Sequence, residues 1–216
     1  MRMVLLGAPG AGKGTHCKRI VDQYGLLHLS SGDILRRERA EGSELGKQAQ
    51  GYMDAGALVP DDLIVEMMSK AVKAAPASGY VLDGFPRTVN QAEALDRSLE
   101  DGDAGIDVVM NLLVDDGVVV ERITGRRSCP QCGAVYHVVN MPPKQEGVCD
   151  HDGAALVQRP DDTAEVVENR LATYYEQTKP VVDYYRARRT VHDVDGNADA
   201  DAVAALLFEK LDALKG

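Results

Sequence analysis

The 216-residue sequence predicts an α/β fold: a parallel five-stranded sheet flanked by helices, with one helical insertion and one small β-rich insertion. Three observations predict it. Short apolar runs alternate with longer stretches of helical spacing along most of the chain. The first run, residues 1–6, enters Gly7-Ala8-Pro9-Gly10-Ala11-Gly12-Lys13-Gly14-Thr15, a glycine-rich loop that opens a helix. Between 126 and 162 the composition turns to cysteine, proline, glycine and short β-type pieces, which marks an inserted module.

The elements follow in order. After the loop, 16–24 reads as a polar helix and 25–29 as a second strand. Ser30-Ser31-Gly32-Asp33 supplies N-cap chemistry for the next helix. A helix over 43–53, a loop over 54–62 and a helix over 63–75 come next, with Pro60 near an N-cap and Pro76 and Gly79 as the stop. Residues 80–82 form a third strand running into Asp83-Gly84-Phe85-Pro86-Arg87-Thr88. A helix over 90–99, an Asp/Gly-rich loop over 100–105, a fourth strand over 108–114 and a helix over 117–123 lead to Gly125. Beyond the module, a helix over 163–187 should bend near Pro180, because proline lacks an N–H and crowds the turn before it. A fifth strand over 190–194 and an amphipathic helix over 200–214 close the chain. Right-handed crossovers would gather the strand C-terminal ends, and the loops that carry chemistry, along one edge.

The glycine-rich loop points to phosphate. Glycines let backbone N–H groups converge on anionic oxygens, the helix start adds partial positive charge, and Lys13 adds a full one. The hydroxyl of the usual pattern arrives one residue late, at Thr15 rather than at Gly14. Arg36, Arg87, Arg122, Arg126, Arg159 and Arg170 stand beside motifs or on helix faces rather than in one surface run. Phosphoryl transfer asks chiefly for positioning and charge neutralisation, and guanidinium forks bind phosphate oxygens in pairs. Asp83 follows an apolar strand, a place suited to a carboxylate that orients Mg²⁺ or its waters.

Cys129-Pro130-Gln131-Cys132 and Cys149-Asp150-His151-Asp152 form two short knuckles at the spacing of a tetrahedral structural zinc site. Three thiolates are clear. Register favours Asp152 as the fourth ligand, with His151 one residue short as the alternative. A closed four-ligand site leaves no position for catalysis, so the metal reads as a staple for a module with little core. Cys17 stands apart inside the first helix and reads as a small packed side chain, the alternative being a low-pKa thiol near a helix start. His16, His28, His137 and His192 read as packing or surface residues.

Composition narrows the function. Hydrophobic residues make up 44% and charged residues 27%, the balance of an ordinary soluble protein, and 216 residues fit one domain with insertions. Asp and Glu number 34 against 24 Lys and Arg, and the net charge of −10 disfavours nucleic acid as a partner. No stretch approaches membrane-span length, and the apolar start is too short for a signal peptide. The expectation is a cytoplasmic protein with no membrane partner, and cysteines kept for metal rather than for disulfides.

Taken together, Gly7 to Thr15, Ser31-Gly32-Asp33, Asp54-Ala55-Gly56, Leu82-Asp83-Gly84-Phe85-Pro86-Arg87 and Gly125-Arg126-Arg127 resemble the signature set of the adenylate kinase family. The resemblance covers essentially the whole chain, in the long-lid form, and the late hydroxyl at Thr15 is that family's own variant. It implies a phosphate-loop NTPase-like fold and a monomer that transfers a phosphoryl group between ATP and AMP, giving two ADP, with Mg²⁺. The related alternatives are a kinase of UMP or CMP, or one that uses GTP; from another class, a zinc-containing nucleic-acid-binding ATPase. The resemblance implies that Gly10, Ala11, Gly12, Lys13, Gly14 and Thr15 hold the ATP phosphates, and that Arg122, Arg126, Val135, Tyr136 and the Ala198 backbone also contact ATP. AMP would be bound by Ser31, Arg36, Ala57, Leu58, Val59, Gly84, Phe85, Pro86, Arg87 and Gln91, with Arg159 and Arg170 closing on the phosphates. Ser31 stands where the family often has threonine. Lys13, Asp83, Arg87, Arg122, Arg126, Arg159 and Arg170 would carry the transfer. A zinc-bearing lid with Cys129, Cys132, Cys149 and Asp152 as ligands is implied as well. The implied division is a core of 1–29, 60–124 and 163–216, a monophosphate-binding insertion of 30–59, and a lid of 125–162. Gly32, Gly56, Gly125 and Pro160-Asp161-Asp162 are the candidate hinges.

Overall fold

A computed structural model describes residues 1–100 and 105–214, so most of the loop expected at 100–105 lies outside the described residues. Strands β1 (Arg2–Gly7), β2 (Leu27–Ser30), β3 (Tyr80–Asp83), β4 (Val108–Leu113) and β7 (Val191–Asp195) form one sheet in the order β2-β3-β1-β4-β7. Every pairing in it is parallel. The apolar run at the start of the chain is therefore the central strand, and the five expected strands are the five observed.

Alternation along β1 explains the layers. Met3 and Leu5 face one side, where they pack with Cys17 and Ile20 of helix α1 (Lys13–Tyr24) and Val203, Leu207 and Leu211 of α9 (Ala200–Ala213). Val4 and Leu6 face the other, against α4 (Asp61–Lys73), α5 (Val89–Glu100) and α8 (Lys179–Arg186). A sheet buried on both faces needs near-continuous apolar strands, which is what β1 and β4 supply.

Between β2 and α4 the chain forms α2 (Ser31–Glu41) and α3 (Glu44–Asp54). Ser30 caps α2 as the sequence predicts, its hydroxyl accepting the Asp33 N–H at 3.2 Å. Helix α6 (Asp116–Thr124) precedes β5 (Arg126–Ser128) and β6 (Val135–His137), an antiparallel pair within the cysteine-containing module. The helix after the module breaks as expected. Helix α7 (Ala164–Thr173) runs into a wide π-type turn over Tyr174–Thr178 before α8, which carries Pro180 in its first turn. The wide turn sits where the missing proline N–H removes a helical bond. Among the described residues no helix is long and apolar enough to cross a membrane.

Candidate active site

The C-terminal ends of the parallel strands open onto one cleft of about 1300 Å³. The glycine-rich loop enters it from β1. Gly12 caps α1 at φ 88°, a left-handed conformation that only glycine adopts without strain, and this turn brings the free N–H groups of the first helical turn to the cleft. Lys13 folds back over the loop and donates to the carbonyls of Gly7 and Ala8, both at 2.7 Å. Burial, with Arg87 and Arg170 nearby, outweighs the attraction of Asp83 and pulls its pKa down to about 8.

The ends of β2 and β3 meet beside it. The Gly84 carbonyl accepts from the Ser31 hydroxyl at 2.6 Å and from Arg87 Nε at 2.7 Å. Gln91 accepts the Arg87 N–H at 2.8 Å and donates to Asp61 at 2.7 Å. Asp61 also accepts from Thr88 at 2.9 Å, so the whole turn after β3 is braced by the start of α4. The Phe85–Pro86 peptide is cis. His28 of β2 lies 3.2 Å from Asp83.

The arginines divide into two groups. Arg36 pairs with Asp33 at 2.5 Å, and Arg170 with Asp161 at 3.1 Å and Asp162 at 3.6 Å. Arg126 binds Asp162 through two nitrogens, and the Asp162 side chain is wholly buried between Arg126 and Arg170. Arg87 and Arg159 reach no carboxylate among the described residues. Burial lowers both to about 10, helped by Arg170 at Arg87 and by Arg36 at Arg159. Lys13 and Arg122 meet only backbone carbonyls. A cleft that crowds several cations in partial burial with so few carboxylates paired to them is one that takes up polyanions.

Most of the residues singled out in the sequence line this one cleft. Ala11 and Phe85 do not; both are packed in the core, which leaves their backbone as the part that can serve the site. Arg122 donates to the carbonyls of Gly196 at 2.8 Å, Asn197 at 3.3 Å and Ala198 at 2.9 Å, tying α6 to the turn after β7. Tyr136 lines the cleft, but its hydroxyl turns into the module, 3.5 Å from Cys149 Sγ, and accepts the Asp150 N–H at 2.8 Å.

The sequence places Asp33 in a helix cap and signature motif and His28 among packing or surface residues, and offers no site role for Asp61 or for the ion pairs of Asp161 and Asp162. The Pro160-Asp161-Asp162 motif, a candidate hinge, is the sequence signal for the last two. His16 is buried as expected, and burial, with Arg19 and Arg122, holds its pKa near 4. Cys17 is the packed side chain the sequence suggests; burial first, and Asp83 with it, pushes the thiol well above its ordinary value, which removes the low-pKa alternative.

The two knuckles are built alike. Cys129 N–H donates to Ala134 and Cys149 N–H to Ala154, both at 2.8 Å, while Gly133 and Gly153 donate back to the two cysteine carbonyls at 3.1 and 3.0 Å. Asp152 thus occupies the place that Cys132 holds in its own knuckle. Cys129, Cys132, Cys149 and Asp152 bring their ligand atoms within 4.8 Å of one another, and His151 is not in the group. The Cys132 and Cys149 sulfurs are 3.6 Å apart, close to the roughly 3.7 Å that two sulfurs span on one tetrahedral zinc. The donor set and its spacing fit zinc.

Glycine-rich loop, Ser31, the Asp83–Arg87 turn and the arginine cluster thus share one cleft. The chain matches the adenylate kinase family model over residues 5–190. The chain belongs to the adenylate kinase family. It is 46% identical to an adenylate kinase of Lachnospira eligens, over 98% of this chain and all of that one. It is 47% identical to one from Archaeoglobus fulgidus, over 94% of each chain, and 47% to one from Methanosarcina acetivorans, over 99% of this chain and 98% of that one. It is a phosphotransferase that interconverts ATP and AMP with two ADP.

Proposed function

We propose that transfer runs between two anion sites in this cleft, with ATP on the glycine-rich loop and AMP on the Ser31–Gly84–Arg87 side. The observation that supports this most is geometric: the glycine-rich loop with Lys13 and the Ser31–Gly84–Arg87 turn line one cleft. Lys13 leaves the Gly7 and Ala8 carbonyls for the β- and γ-phosphates, whose charge restores its full protonation. Gly10 to Thr15 supply the N–H cradle, with Ala11 contributing backbone alone. On the AMP side Arg36, Arg87, Gln91 and Ser31, with the backbone of 57–59 and 84–86, fix the monophosphate and its nucleoside. Arg126, Arg159 and Arg170 close over the phosphates, and Arg159 arrives without a carboxylate to give up.

Arg122, with Val135 and Tyr136, frames the ATP side, and Arg122 holds the Ala198 turn in place for adenine. An oxygen of the AMP phosphate attacks the γ-phosphorus, and the bond to the bridging oxygen of ADP breaks. The attacking AMP oxygen is already ionised at neutral pH, so no general base is needed. Mg²⁺, bound with ATP, would neutralise phosphate charge, and Asp83 is the carboxylate placed to orient its waters. Closure of 30–59 and 125–162 over the core excludes water as a competing acceptor.

Zinc is proposed as the structural ion of the 125–162 lid, held by Cys129, Cys132, Cys149 and Asp152. A working monomer in the cytoplasm is proposed too: the site draws its residues from one chain, and the four cysteines are unpaired. Initial rates with ATP and AMP, set against ATP with UMP or CMP, test the reading. It expects turnover with AMP to exceed that with UMP or CMP by orders of magnitude; comparable rates would overturn the nucleotide assignment.

A further inference from the structure

Cys17 of α1, His28 of β2 and Asp83 at the end of β3 come from three elements, and their ligand atoms lie within 4.8 Å of one another. His28 Nε2 and Asp83 Oδ2 are 3.2 Å apart. Two ligands about 2 Å from one tetrahedral ion stand roughly 3.3 Å apart, so this pair already has the separation of two zinc ligands. Cys17 is wholly buried, and the His28 and Asp83 side chains are 19% and 12% exposed. Both of the latter line the nucleotide cleft, which gives an ion a way in.

We propose that Cys17, His28 and Asp83 form a second, inhibitory site for a thiophilic divalent cation of the zinc class, separate from the lid cysteines. A sulfur, an imidazole and a carboxylate suit Zn²⁺ or Cd²⁺ and do not suit Mg²⁺, which takes oxygen ligands. As the ion binds, the metal–sulfur bond forms and the Cys17 thiol proton leaves to solvent. Three protein ligands leave a fourth position on the ion, open toward the cleft. Because the ion takes Asp83, it removes the carboxylate that we assign to the magnesium waters. Inhibition therefore rests on the proposed function, whereas binding does not.

The test is metal content at equilibrium, without nucleotide, on the whole protein with its lid metal in place. Wild type, Cys17→Ser and His28→Gln are dialysed against the same micromolar Cd²⁺, and total zinc plus cadmium per chain is measured. The wild type should hold one more ion than either variant, with a stronger thiolate-to-cadmium charge-transfer absorbance than Cys17→Ser. Equal metal content in wild type and Cys17→Ser overturns the site, and loss in Cys17→Ser but not in His28→Gln overturns the three-ligand arrangement. ATP–AMP turnover in Mg²⁺ alone is read on each preparation, which separates a failed site from a failed assignment of function. Added Zn²⁺ should inhibit wild type at concentrations at least about tenfold lower than those needed for Cys17→Ser, since loss of even an outer partner of a metal ligand costs that much affinity.

Discussion

Leu82 and Met110, wholly buried on opposite faces of the sheet, belong to two apolar clusters built by strands and helices from both ends of the chain. In the 125–162 module the buried cluster is Cys129, Tyr136 and Cys149, with Ala134, Ala154 and Leu156 half-buried around them. One region is held by area removed from water, the other by a ligand set and paired backbone turns. On this contrast the first should unfold as a whole and the second loosen alone, the independence that the proposed lid would need to open during turnover. The proposed chemistry divides along the same line, with Lys13 at the start of α1, just past the central strand, and Arg126 and Arg159 in the module.

The largest expected effect is on rate. Lys13→Met should lower turnover about a thousandfold or more while the melting temperature stays close to wild type; near-normal turnover would remove Lys13 from the transfer. Next in size is Leu82→Ala, which should cost about 2–5 kcal/mol in denaturant unfolding and lower protection from hydrogen exchange everywhere. Loss confined to the lid would break the contrast. Chelation of the proposed zinc, or Cys149→Ser, should do the reverse: exchange rises across 126–157, while β1, β3 and β4 keep their protection. Equal loss in both regions would show the metal holding the whole molecule.

A smaller effect is expected at the joint between them. Gly125 has an ordinary φ of −80°, so what a side chain there would disturb is close approach. A Cβ there would stand 2.2 Å from the His137 ring, whose Nε2 lies 3.2 Å from the Glu121 carbonyl at the end of α6. Gly125→Ala should cost about 1–3 kcal/mol and raise exchange first in β5 and β6. The smallest effect is in pH. Lys13 titrates near 8 where an ordinary lysine titrates at 10.5, and bound phosphates favour its charged form. ATP binding should therefore take up a proton between those values, and affinity should fall as pH rises above 8, by no more than about tenfold per unit. Calorimetry in buffers of different ionisation enthalpy reads the proton directly, and none taken up near pH 9 would refute the assignment.

The sheet, its order of elements and the phosphate loop were legible in the sequence because each is a local signal: an apolar run, a glycine spacing, a cap. The arginines were legible as types beside motifs. Their partners were not, because Arg126 meets Asp162 across 36 residues and His28 meets Asp83 across 55, and no local pattern records which carboxylate arrives. The bend at Pro180 was visible, but not the wide turn over Tyr174–Thr178 that absorbs it. For the fourth knuckle ligand, register already favours Asp152 over His151, and the matched backbone bonds of the two turns agree with that preference.

Asp162 sets a buried anion behind two of the arginines that line the cleft. Any nucleotide that draws Arg126 and Arg170 onto its phosphates does so in competition with a carboxylate fully enclosed between them. With the roles proposed for these arginines, each nucleotide would be held less tightly than its charge alone would allow, and when it departs the arginines would have a partner to return to. For a reaction whose two sides carry nearly the same charge, that favours turnover over retention: the same competition meets ATP with AMP and the two ADP that leave.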